Sequence, residues 1–264
     1  MKAPLLRAWM LALPLSLCAA SCQSVPYTGR SRVLLVSEDE EARMGERAYA
    51  ETLKASRLSS DPAKVDLLRR VGERIARAAE KPGFRWEFHL IEDDGTPNAW
   101  CLPGGKVAFY TGILPVTLDE DGIAVVMGPA VAHAIARPGS ERMSQAAMVS
   151  LGGEALGVLL AEKPEATRAL YGEVYGRGAA LGVMLPYSRA HESEADRIGL
   201  ILMARAGYDP VHALAFWQRM EAAAGGAGKG PGTAGFLRTH PTDADRQRQI
   251  REWLPEIREK YYRP

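Results

Sequence analysis

Cysteine is scarce in this sequence: 264 residues contain 3, namely Cys18, Cys22 and Cys101. Cys18 sits in an N-terminal stretch that reads as removable and Cys22 at its boundary, which leaves Cys101 alone and excludes an internal disulfide even where the compartment would permit one. A long hydrophobic run is also missing. Lys2 and Arg7 lead into an apolar run from Ala8 to Ala20, too short to span a bilayer but placed and sized like the core of an export signal. Charge of one sign is missing as well. The formal net charge is +1 from 33 basic and 32 acidic residues; taking away Lys2 and Arg7 leaves 31 against 32, or −1, and nothing suggests a nucleic-acid partner. No internal repeat is visible. What remains is ordinary globular material, 47% hydrophobic and 25% charged, with enough mature chain for one substantial core.

Ala19-Ala20-Ser21-Cys22 puts small residues before a cysteine, as in lipoprotein processing. The expected division is a signal peptide over 1–21, a lipid-anchored linker over 22–36 containing the Pro and Gly of Val25 to Arg30, and one domain over 37–264. Cys22 is then the acylated first residue; plain cleavage nearby would leave it a free thiol. Ser37 with Glu40 opens a helix to about Ala55. A second helix runs from Asp61 to about Glu80, with Val65, Leu68, Val71, Ile75 and Ala79 at helical spacing. From Trp86 to Tyr110 the period changes to two, broken by turns at Asp93-Asp94-Gly95 and Pro103-Gly104-Gly105, which is a small sheet. Further helices are expected over Ser140 to Leu160, Pro164 to Leu185, Tyr187 to Arg205, Asp209 to about Ala223, and Thr242 to about Trp253. Gly225 to Gly235 is a Gly-rich loop, and Pro255 marks the end of the last helix.

The most unusual stretch is Asp119 to Arg142, DEDGIAVVMGPAVAHAIARPGSER. Ile123, Val126, Met127, Val131, Ala134 and Ile135 are interleaved with small residues, so this helix is apolar on nearly all sides and buried. Around it, Asn98-Ala99-Trp100-Cys101-Leu102-Pro103-Gly104-Gly105, Tyr110-Thr111-Gly112, His191-Glu192-Ser193-Glu194-Ala195-Asp196, Ala206-Gly207-Tyr208-Asp209-Pro210 and Thr239-His240-Pro241 occur in one order. From about Val25 to the end, this series resembles the HtpX- and Oma-type zinc metallopeptidases, family forty-eight of the metallopeptidases, and in particular their bacterial lipoprotein branch. The resemblance implies a mainly helical α+β fold, a gluzincin (thermolysin-like) half-domain with a small β-sheet.

In such enzymes the buried helix carries H-E-x-x-H, two His on one face for the metal and a Glu to activate water. Here those five positions are Pro129, Ala130, Val131, Ala132 and His133. The first ligand and the general base are missing. The resemblance makes Glu192 the third zinc ligand and Asp196 the carboxylate that orients a ligand; read from the residues alone, the two are members of a charged helix face paired with Arg189 and Arg197. His240 matches a position where some relatives bring a further His to the metal, or is a plain loop residue. His133, Glu192 and His240 are thus the candidate metal set, for zinc that binds weakly or not at all. Pro129 should also cost one helical hydrogen bond and kink the helix near Val125 to Gly128.

The related peptidases hold extended substrates on an edge strand, which maps to Asn98, Ala99, Lys106, Val107 and Ala108; a plain structural hairpin reads the same way. Gln23 after Cys22 implies the periplasmic side of the outer membrane, with the membrane engaged through the lipid anchor. The expected function is a catalytically inactive pseudopeptidase that binds unfolded or outer-membrane proteins in envelope quality control. The alternatives are an active zinc metalloendopeptidase built on His133, Glu192 and His240, and a purely structural lipoprotein.

Overall fold

The computed structural model describes residues 22–159, 161, 165, 186–225 and 244–263. The signal stretch 1–21, all but residue 165 of the helix expected over 164–185, the Gly-rich loop beyond Gly225 and His240 lie outside the described residues. The chain divides into two compact units, Met1–Ser37 with Arg137–Ala190, and Glu38–Ala136 with His191–Pro264.

In the first unit, the stretch expected to be a linker is an antiparallel hairpin of β1 (Cys22–Ser24) and β2 (Ser31–Val33). Strands of three residues are too short for alternation to show in a sequence. The turn closes with Val25 N–H donating to Arg30 O at 2.8 Å, and Tyr27 takes a left-handed φ of 68°. The hairpin is fastened to α4 (Pro138–Leu159), which opens two residues earlier than expected because proline suits the first turn of a helix. Leu35 N–H donates to Ser144 Oγ at 2.9 Å, and Arg137 donates to Val36 O at 2.8 Å. Arg30 forks onto both oxygens of Glu141 at 2.7 and 2.8 Å, the bidentate geometry that makes an Arg–carboxylate pair directional.

The second unit begins with α1 (Glu38–Lys54) and α2 (Pro62–Ala79). Asp61 caps α2 by accepting from Ala63 N–H and Lys64 N–H at 3.1 and 3.2 Å, with Pro62 in the first turn. The sheet has the order β3-β5-β4, from β3 (Glu87–Ile91), β4 (Ala99–Leu102) and β5 (Lys106–Tyr110). β3 and β5 are parallel, with Phe88 opposite Val107; β4 and β5 are antiparallel, with Cys101 opposite Val107. β5 is therefore the middle strand. That corrects the expected edge: Lys106, Val107 and Ala108 have strands on both sides, and only Asn98 and Ala99 belong to a flank of the sheet.

The apolar helix is α3 (Glu120–Ala136), with Ile123 to Met127, Val131, Ala132, Ala134 and Ile135 all buried. It packs on α2, on β4 and on α6 (His212–Gly225). Asp119 starts it by accepting from Gly122 N–H at 2.9 Å. The helix runs unbroken through Pro129. A β-carbon placed on Gly199 of α5 (Pro186–Arg205) would stand 2.4 Å from the Pro129 nitrogen, so the two helices meet backbone to backbone where an ordinary residue would carry its N–H. Packing on every side holds the helix together despite the missing bond. The last helix, α7 (Ala244–Tyr261), also differs from expectation, since Pro255 lies within it. Buried Ile250, Leu254 and Ile257 carry the apolar face across that proline.

Candidate metal centre

His133 and Glu192 come from different helices, α3 and α5, yet their side chains meet: His133 Nε2 lies 3.3 Å from Glu192 Oε1, and each is about a quarter exposed. The i, i+4 geometry that would place two imidazoles on this face puts Pro129 one turn before His133. Neither the pyrrolidine of Pro129 nor the methyl of Ala130 offers a donor.

One turn along α5, Asp196 is fully buried and accepts from Arg246 Nη2 of α7 at 2.6 Å. Burial pushes the Asp196 carboxyl up, and the Arg246 charge beside it pulls it back down, as Glu192 and His133 also act on it in opposite senses. Arg246 itself lies 3.7 Å over the Trp217 ring. Asp196 and Pro129 line one small cavity with Val125, Gly199, Ala213 and Trp217. The carboxylate that would orient an imidazole at position 129 is held instead by a guanidinium. Arg197 bonds Glu256 at 3.2 Å, so the reading in which Arg197 pairs with Glu192 or Asp196 does not hold.

Sequence reasoning missed Arg246 and Trp217. The available signal was that Arg246 shares the α7 face with Ile250, Leu254 and Ile257, a row on which a cation must be aimed inward at a buried partner. At the sheet, Tyr110 N–H donates to Asn98 O at 3.0 Å; by alternation Trp100 and Leu102 also face β5, and the backbone of Ala99 and Cys101 turns to the flank where the sheet ends. The Ala99 N–H is taken by Asn98 Oδ1 at 2.8 Å. Cys101 is free and buried, and burial holds its thiol well above the usual range.

A model of Peptidase family M48 matches residues 62–254, more than half of the chain. The chain belongs to peptidase family M48. It is 40% identical over 239 residues to "Mitochondrial metalloendopeptidase OMA1" of Schizosaccharomyces pombe, covering 89% of this chain and 67% of that protein. Identity to the human "Metalloendopeptidase OMA1, mitochondrial" is 28% over 240 residues, with 88% and 45% covered. For the Escherichia coli "Beta-barrel assembly-enhancing protease" it is 26% over 256 residues, with 92% and 51% covered. The chain thus spans about two thirds of the fission-yeast relative and about half of the other two. The mainly helical α+β architecture is that of the M48 peptidase domain.

M48 peptidases are zinc metalloendopeptidases, and a catalytic zinc takes three protein donors and one open position. Among the described residues no group of three His, Cys, Asp or Glu side chains could hold a metal ion. His133 and Glu192 supply two donors. His240, the expected third donor, lies outside the described residues.

Proposed function

We propose that this chain is a non-catalytic M48 member, a lipid-anchored module at the bacterial envelope that holds extended peptide segments without cutting them. The observation that carries the proposal is the pair Pro129 and Ala130, which removes one metal donor and the water-activating carboxylate from one helical turn. A general base at such a position is worth about 10² to 10⁴ in rate. The peptide reading rests on β4 ending the sheet with the Ala99 C=O and both backbone groups of Cys101 turned to its flank, the arrangement that strand addition uses. The anchor reading rests on the apolar run before Ala19-Ala20-Ser21-Cys22, and the outer-membrane reading on Gln23. Unfolded or outer-membrane proteins are the partners of fitting chemistry.

Zinc content of the purified protein and cleavage of casein test the central claim. The unmodified chain is expected to hold well under one zinc per molecule and to leave casein uncut. Pro129→His with Ala130→Glu is expected to restore stoichiometric zinc, whereas Ala130→Glu alone is not, because a carboxylate without a bound metal has no acidified water to deprotonate. One zinc per unmodified chain together with casein cleavage, both lost in His240→Ala, would overturn the proposal in favour of a rebuilt site on His133, Glu192 and His240.

A further inference from the structure

Among the described residues, eight large apolar side chains are exposed, and five of them belong to the first unit: Leu35 at 53%, Met143 at 44%, Met148 at 42%, Leu151 at 62% and Val158 at 77%. Four lie on α4. At about 100° per residue, Met143, Leu151 and Val158, with Ala147 and Glu154 between them, fall within a sector of about 80°, Met148 lies about 60° beyond it, and at 1.5 Å per residue the row is about 22 Å long. Leu35 adjoins it through the Leu35 N–H to Ser144 Oγ bond. Apart from Glu154, no charged residue occurs between Met143 and Leu159. Exposed apolar surface of this extent, here interrupted by Glu154, marks an interaction site.

The hairpin states which partner. Cys22 pairs with Val33 across β1 and β2, two residues before Leu35, so Cys22 is roughly 12 Å of backbone from Leu35. With acyl chains at Cys22, as the anchor reading has it, or with the apolar run Ala8 to Ala20 kept, a lipid-seeking group is attached to that hairpin. The Arg30 fork on Glu141 and the Arg137 bond to Val36 O tie the hairpin to α4. No helix among the described residues is long and apolar enough to cross a membrane. We propose that the exposed apolar face of α4, with Leu35, lies in the plane of the phospholipid surface beside the anchor, as an interfacial helix. Glu154 sits within this row, so the helix lies at headgroup depth, where the Glu154 carboxylate stays in water, rather than deeper among the acyl chains. This inference rests on the anchor reading above.

The test reconstitutes the full chain in phosphatidylethanolamine–phosphatidylglycerol vesicles that contain brominated lipid. An environment-sensitive dye on Val158→Cys, and in a second preparation on Leu151→Cys, is expected to lose most of its emission to the bromines, whereas the same dye on Arg142→Cys, exposed on the same helix about 140° round from the centre of the face, keeps more of its emission. Both probe sites are exposed, so either serves if the other variant folds poorly; buried Cys101 stays unlabelled, and dye treatment of the unsubstituted chain gives the background from any free Cys18 or Cys22 thiol. Equal emission at the three positions overturns the proposal, as does cross-linking of Val158→Cys between two copies without quenching, which gives the face to a second chain. Fatty-acid labelling of Cys22 is measured separately. An unacylated Cys22 with quenched probes sinks the anchor and keeps the face; an acylated Cys22 with unquenched probes does the reverse.

Discussion

Asp196 shows what a single residue retains after its site has changed. Its carboxylate and the Arg246 guanidinium that donates to it are both almost wholly buried. Breaking such a pair costs more than the pair contributes, because the surviving charge stays in a low-dielectric surrounding; removal of one partner is worth about 3–5 kcal/mol. For a chain of this size that lowers Tm by about 6–20 °C. Asp196→Asn is expected to fall in this range by thermal denaturation, and Asp196→Asn with Arg246→Gln to lose less than the sum of the two single changes. Additive losses would mean that the two groups do not act as a pair. The residues that define the site differ in how legible they were: the gaps at 129 and 130 and the candidate donors His133 and Glu192 followed from the resemblance to the H-E-x-x-H pattern, whereas the Asp196 to Arg246 bond joins helices fifty residues apart, and only the cation in an apolar row hints at it.

Among the elements, α3 and α5 cross at close range. A β-carbon on Gly128 would lie 2.6 Å from Gly199 O, and one on Gly199 would lie 2.4 Å from the Pro129 nitrogen and 2.6 Å from its Cδ. No flexible side chain can give way there. Gly199→Ala is therefore expected to destabilise by about 1–3 kcal/mol through overpacking, read as a lower urea midpoint at unchanged slope. Gly139→Ala, whose β-carbon would meet nothing within 4 Å, is expected to leave the midpoint unchanged or slightly raised. Helices were legible wherever an apolar row had room to repeat, as in α2 and α3. Two features escaped that logic. The three-residue strands of the hairpin carry no period, and Pro255 was read as a stop although the row Ile250, Leu254, Ile257 continues past it; Pro255 and Arg251, whose carbonyl lies four residues back, are both exposed, so water can take the place of the missing donor.

At the scale of the whole molecule, strand order was the property that the sequence could not disclose, because period-two segments do not state who pairs with whom. β5 in the middle means that its two seams close over very different lengths of chain. Partners across β4 and β5 are four to ten residues apart, as in Leu102 with Lys106 and Ala99 with Phe109, whereas partners across β3 and β5 are nineteen apart throughout. Loop-closure entropy makes the second seam costlier by up to about 1.4 kcal/mol before any contact is gained. The β4–β5 hairpin should therefore zip first and β3 dock onto it afterwards. Its turn holds Gly104 at φ 86°, a conformation that other residues enter only under strain. In stopped-flow experiments Gly104→Ala should chiefly slow refolding, and Phe88→Leu on β3 should chiefly hasten unfolding. The order of events along the folding path is thus written in the same strand arrangement that leaves β4, and not β5, at the flank of the sheet.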